Sequence, residues 1–194
     1  MTGSSPTTVG PDTHHLAVID MQVVFADPAS EWGTPGFAAI LPHVQELVAA
    51  LAPQVTLTRF VAPATPEGAW REYYARWPFA RQPPDAPLYD LVPGFPPAAE
   101  RAPTVTATTF SKWGPDLAAA VGSRTLLLAG VSTDCCVLST ALAAADAGVP
   151  VQVVADACAG VDAASHAAAL HVMDLYAPLI EVVDMAAVRA KAIG

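Results

Sequence analysis

Two adjacent cysteines, Cys135 and Cys136, stand where chemistry is most readily placed in this sequence. The apolar run Leu126-Leu127-Leu128-Ala129 ends at Gly130, which reads as a buried strand followed by a tight turn. Ser132, Thr133 and Asp134 are each good helix N-caps, and Val137 to Ala145 has helix-forming composition. Both thiols therefore fall in the first turn of a helix. Unpaired backbone N–H groups and the positive end of the helix dipole favour thiolate over thiol there. A cysteine at that place is a candidate nucleophile. The competing reading is a pair of small core residues, since free cysteine is often buried.

The elements that must position these thiols alternate along the chain. Strands are predicted at 14–20, 54–60, 104–108, 125–129, 149–155 and 179–183. Helices are predicted at 37–51, 68–77, 115–121, 134–147, 162–176 and 185–193. Six alternations predict an α/β domain: an open, mostly parallel six-stranded sheet with helices on both faces, Rossmann-like in outline. Ligands of such sheets bind at the carboxyl ends of the strands. Asp20, Lys112 and the Cys135–Cys136 pair each lie at or just beyond such an end, so they could share one rim. Residues 61–103 form a long irregular segment holding ten of the 19 prolines, of the kind that covers a site. Residues 1–13, rich in Gly, Ser, Thr and Pro, are expected to be a mobile tail, and 14–194 a single domain.

Composition narrows the function classes. The chain is 53 % hydrophobic and 14 % charged, which excludes disorder for its body. No apolar run reaches the length of a membrane span, and no secretory leader pattern opens the sequence. Three cysteines, two of them adjacent, make no disulfide framework, so a reduced, cytoplasmic setting is expected. A net charge of −9 without a basic cluster argues against nucleic acid or an anionic membrane as partner. There is no Gly-rich dinucleotide fingerprint and no P-loop, so no nucleotide cofactor is expected.

Asp20-Met21-Gln22 with Phe25, together with Gly130-Val131-Ser132-Thr133-Asp134-Cys135-Cys136-Val137, resembles the isochorismatase-like cysteine hydrolases. The resemblance runs over most of the chain after residue 14, including Asp156-Ala157-Cys158. It implies hydrolysis of a C–N bond in a small amide, carbamoyl compound or lactam through an Asp–Lys–Cys triad and a thioester acyl-enzyme. The motif places the nucleophile at Cys136, not Cys135. It also implies an oxyanion hole made by the backbone N–H groups of Ser132 and Cys136, and a cis peptide between Val131 and Ser132. The chemistry is consistent with this assignment. A thiol attacking an amide needs a base for its proton and an acid for the leaving nitrogen, and one carboxylate, Asp20, can serve both in turn.

The lysine departs from the family pattern. Lys-x-x-x-Ser-x-Phe, matched on Ser111 and Trp113, puts Ala107 where the amine belongs. Either Lys112 reaches the site from a shifted position, or Arg59 or a threonine hydroxyl takes its place. Were Lys112 to supply charge alone, Lys112→Arg would lose less activity than Lys112→Ala. The Asp-x-His ligand set of the nicotinamidases is also missing, since that position reads Thr58-Arg59-Phe60-Val61. The expectation is a metal-free site with no cofactor. Gln22, Phe25, Trp32, Arg59, Trp70, Tyr74, Phe110 and Trp113 are the predicted substrate-binding residues, on the ground that dense aromatics suit a planar or apolar amide-like substrate. The resemblance and the weakly charged composition suggest a homodimer or homotetramer. A vinyl-ether hydrolase using Asp20 and Lys112 alone, and a redox protein using the paired thiols, are the alternatives.

Overall fold

The computed structural model of the chain describes residues 9–96 and 103–192. Six strands, β1 (His14–Ile19), β2 (Val55–Phe60), β3 (Val105–Ala107), β4 (Thr125–Val131), β5 (Val151–Ala159) and β6 (Ile180–Val183), form one sheet. Their order is β3-β2-β1-β4-β5-β6, and every pairing is parallel. Strands buried on both faces explain the unbroken apolar runs. Along β1, Leu16 and Val18 pack on one face while Ala17 and Ile19 pack on the other. Along β4, Leu127, Ala129 and Val131 alternate with Leu126 and Leu128 in the same way. The first face is covered by α2 (Phe37–Leu51) and α7 (Met185–Ala192). The second is covered by α4 (Pro115–Val121), α5 (Leu138–Asp146) and α6 (Ala163–Asp174). Strand order reverses between β1 and β4, which opens a crevice at their carboxyl ends.

Three departures from the sequence expectation have local causes. Between β1 and α2, where no element is predicted, the chain makes a single turn of helix, α1 (Val23–Ala26), too short to show a periodicity. β5 continues to Ala159 because its pairing with β4 resumes after an irregularity: Leu128 faces Val153, but Gly130 faces Cys158. The helix expected at 134–147 is split into a π-helical turn, Thr133–Val137, and α5. The expected tail 1–13 lies outside the described residues up to position 8. Of the remainder, Val9 is buried in the core and the Pro11 carbonyl accepts from Arg124 Nε, so this part is held against the domain.

Within the described part of the proline-rich segment, α3 (Trp70–Arg76) is followed by two 3₁₀ turns, Pro78–Ala80 and Pro87–Tyr89, each starting with proline. Residues 97–102 of that segment lie outside the described residues. Tyr89 is fully buried, and its hydroxyl donates to the Ala80 carbonyl and accepts from the Ala62 N–H. This pins the segment across the sheet edge and sets α3 over the crevice. No helix among the described residues is long and apolar enough to cross a membrane.

Candidate active site

Asp20 follows the last residue of β1 and faces the crevice from below. Its backbone is left-handed, with φ 49°, a conformation that costs a non-glycine residue on the order of 1–2 kcal/mol. Across the sheet Gly130, the partner of Ile19, has φ 118°, and a Cβ there would lie 2.2 Å from the Ile19 carbonyl oxygen. Only glycine lets β4 pass this close to the end of β1. Asp20 Oδ1 accepts from the Thr58 hydroxyl at 2.7 Å, and the Asp20 N–H donates to the same oxygen of Thr58 at 3.1 Å. Oδ2 lies 2.9 Å from Lys112 Nζ in an ion contact between two side chains with no solvent exposure. Apart from that contact, Oδ2 has no hydrogen-bond partner among the described residues.

Lys112 thus reaches Asp20 from its shifted place in the sequence. Its amine also donates to the Thr109 carbonyl at 2.9 Å and lies 4.9 Å from the centre of the Phe60 ring. Its backbone N–H donates to Thr140 Oγ1 at 2.9 Å, and that hydroxyl donates to the Cys136 carbonyl at 2.7 Å. Thr140 therefore ties the lysine loop directly to the cysteine turn.

Ser132 opens that turn, and the Val131–Ser132 peptide is cis. The Ser132 carbonyl accepts from the N–H groups of both Cys135 and Val137, the second bond being the π-type closure. Cys136 is buried and Cys135 half-buried, and neither is in a disulfide. The two thiols interact. A hydrogen bond from Cys136 to Cys135 raises the Cys136 pKa, and burial and the Asp20 charge raise it further, against the pull of Lys112. The same bond lowers that of Cys135. Burial and the Asp20 charge thus oppose the thiolate that a helix first turn suggested.

Both sulfurs line a cavity of about 320 Å³, at the small end for ligand sites. Of the predicted substrate-binding residues, Phe25, Trp32 and Phe110 line it. The other five do not. Gln22 is fully buried and its amide is committed to backbone: Nε2 donates to Phe60 and Tyr89 carbonyls and Oε1 accepts from the Phe60 N–H. Arg59 donates to the Tyr89 and Pro84 carbonyls, so both residues fasten the covering segment instead. Tyr74 is buried in the core, Trp70 packs outside it against Phe110, and Trp113 packs on the opposite face of the sheet. Asp20 and Lys112 lie beneath the cavity wall.

The wall contains residues that sequence reasoning passed over. Tyr73 and Trp77 line the cavity in place of Trp70 and Tyr74. The four aromatics stand at i, i+3, i+4 and i+7 on one stripe of α3 and its C-cap, and spacing alone does not say which edge of the stripe faces in. Burial, and then Cys135 and Cys136, raise the Tyr73 pKa. Phe60 completes the ring cluster at 5.9 Å from Phe110. Behind the turn, Thr133 Oγ1 is 2.8 Å from His166 Nδ1, and Asp134 Oδ1 accepts from Ser132 Oγ and the Val161 N–H. These contacts hold the turn to α6.

A doubly wound parallel sheet carrying a cysteine turn beside a buried carboxylate–amine pair defines a class of α/β enzyme fold. The chain belongs to the isochorismatase family, whose domain matches residues 14–186. It is similar over 98 % of both chains to the solved cysteine hydrolase of Pseudomonas syringae pv. phaseolicola 1448A, with TM-score 0.80 and 20 % identity. An isochorismatase family protein from Desulfovibrio vulgaris subsp. vulgaris str. Hildenborough matches with TM-score 0.77 and 23 % identity over 94 % of this chain and 99 % of that one. The pyrazinamidase of Pyrococcus horikoshii, solved in complex with zinc, matches with TM-score 0.67 and 26 % identity over 89 % and 99 %.

A zinc site does not fit the residues of this chain. Such a site needs three or more nitrogen, sulfur or carboxylate ligands. No group of three His, Cys, Asp or Glu is suitably placed among the described residues. At the end of β2, Thr58 caps Asp20 and Arg59 turns to the covering segment.

Proposed function

We propose that the protein is a metal-independent cysteine hydrolase that cleaves a C–N bond of a small amide, carbamoyl compound or lactam, with Asp20, Lys112 and Cys136 as its triad. One observation carries this reading: a buried Asp20–Lys112 ion pair whose Oδ2 accepts no hydrogen bond, joined through Thr140 to the turn that bears Cys136. That a cysteine hydrolase and a pyrazinamidase are among the similar structures supports its amide-hydrolysis part.

In the proposed reaction Cys136 Sγ attacks the carbonyl carbon while its proton passes to Asp20. The carbonyl π pair moves onto oxygen, and the backbone N–H groups of Ser132 and Cys136 hold that oxyanion. The pair returns, the C–N bond breaks, and Asp20 gives its proton to the leaving nitrogen. A thioester remains. Water attacks it with Asp20 as base, and Cys136 leaves with the proton. Lys112 supplies a fixed counter-charge throughout and makes no bond.

The test is a panel of small amides, carbamoyl compounds and lactams assayed for ammonia or amine release. Turnover by the wild type, none by Cys136→Ala, and an acyl adduct mapped to Cys136 by mass spectrometry are expected. A panel without turnover, or an adduct on Cys135 alone, counts against it. The reading includes 14–194 as one catalytic domain, a cytoplasmic setting, no nucleic-acid or membrane partner, and assembly as a homodimer or homotetramer. A monomer mass by light scattering at micromolar concentration would refute the last point.

A further inference from the structure

The cavity above Cys136 is walled by aromatic rings, and among the described residues the only charged ones lining it are carboxylates, Glu31 and Asp134. Three of the described cations are engaged elsewhere. Lys112 is sealed against Asp20, Arg59 bonds backbone of the covering segment, and Arg76 lies on the Trp77 ring, 5.4 Å from its centre, without lining the cavity. A carboxylate or phosphate on a substrate would enter without a partner and meet two like charges. Asp134 is held at the cysteine turn by Ser132 and Val161. Glu31 is exposed at the other end, beside Trp32.

Trp32 is the hub of the rings at that end, with Tyr73 at 6.0 Å and Trp77 at 6.3 Å between centroids, neither parallel to it. Ring faces carry partial negative charge, and several differently tilted rings with a carboxylate form the surroundings that bind ammonium groups. That Arg76 already sits on Trp77 shows the ring serving a cation from outside.

We propose that the Glu31–Trp32–Tyr73–Trp77 end of the cavity binds an alkylammonium group, so that the substrate is a small amide with a cationic end. The bond that is cut rests on the cysteine-hydrolase reading above; the charge preference belongs to the cavity itself.

The preference is measured without turnover, by isothermal titration of the wild-type chain with benzyltrimethylammonium, benzyl alcohol and benzoate. The ammonium ion is expected to bind at least about tenfold more tightly than benzyl alcohol, with benzoate weakest. Glu31→Gln should lose about tenfold for the ammonium ion and little for the alcohol, and Trp77→Leu should weaken the ammonium ion more than the alcohol. Glu31 is on the surface, so its variant is expected to fold as the wild type does, which circular dichroism checks. Benzoate binding as tightly as the ammonium ion, no measurable ammonium binding, or a Glu31→Gln variant indistinguishable from wild type overturns the proposal. A failed charge preference leaves the amide panel unaffected, and a silent amide panel leaves the titration standing.

Discussion

Replacing Lys112 by methionine removes one charge and keeps most of the side-chain volume. The structure says what is left behind. The Asp20 carboxylate has no solvent exposure, its Oδ1 keeps one hydrogen bond from Thr58, and its Oδ2 loses the amine 2.9 Å away. Breaking a buried pair from one side costs about 3–5 kcal/mol, because a charge stays buried without its partner. A domain of this kind has about 5–15 kcal/mol in total. The melting temperature should fall by about 6–20 °C, at roughly 2–4 °C per kcal/mol. Urea unfolding followed by far-ultraviolet circular dichroism measures the free energy. The companion variant is Lys112→Met with Asp20→Asn, which removes both charges and should recover part of the loss. Charge counting favours arginine over alanine at this place. The amine is held by Asp20, the Thr109 carbonyl and the Phe60 ring, and a guanidinium is larger, so Lys112→Arg should be destabilised too. A Lys112→Met midpoint equal to wild type, or a double variant no better than the single, refutes the reasoning.

Three further outcomes are expected. Cys136→Ala should abolish amide hydrolysis while Cys135→Ala keeps most of it; equal losses in two folded variants would reject the motif register. Turnover should survive dialysis against EDTA and phenanthroline, since the ligand set for a metal is missing among the described residues; activity lost on chelation and restored by zinc would contradict this. His15 is buried, with Nε2 2.9 Å from Thr56 Oγ1, and burial lowers its pKa to about 4. Below its ordinary value of 6.5 the unfolded chain takes up a proton that the folded chain refuses until about pH 4. Stability should therefore fall as pH drops from about 6.5 to about 4, by roughly 1–3 kcal/mol after allowing for partial screening. His15→Asn should flatten that part of the urea-midpoint profile, and an unchanged slope would exclude the assignment.

The fold was legible because its signals are local and redundant. Apolar runs fix β1 and β4, and helical spacing fixes the full extent of α2. Proline at its first position and glycine past its end fix α4. The β4–β5 irregularity was not legible, because a change of strand register leaves no mark in apolar spacing. Within the site, Asp20, Cys136 and Lys112 stood out as rare reactive types at strand ends. Thr58 and Thr140 did not, although each bonds a member of the proposed triad, because threonine is unremarkable in a strand or helix until its partner is known. Gln22 and Arg59 misled in the opposite sense. Polar residues near a site look like substrate ligands, yet here their hydrogen-bonding groups are used to hold irregular backbone that no strand or helix satisfies.

The lysine shows why sequence register and spatial register separate at this rim. Three chain segments meet around Asp20: β2 through Thr58 and the loop after β3 through Lys112 touch it directly, and α5 holds that loop through Thr140. Of these, the loop after β3 is the least constrained by the sheet, since β3 is a three-residue edge strand paired only with β2. A loop can bring an amine to a fixed point from more than one position in its sequence, provided the backbone is held where it arrives. Here Thr140 holds it, by accepting the Lys112 N–H while donating to the Cys136 carbonyl. An anchor on α5 that touches both the lysine and the cysteine turn fixes the separation of the two groups independently of loop length. The proposed chemistry needs an amine, a carboxylate and a thiol close together, and the fold ties the Lys112 loop to the cysteine turn through Thr140 where the sequence pattern points to Ala107.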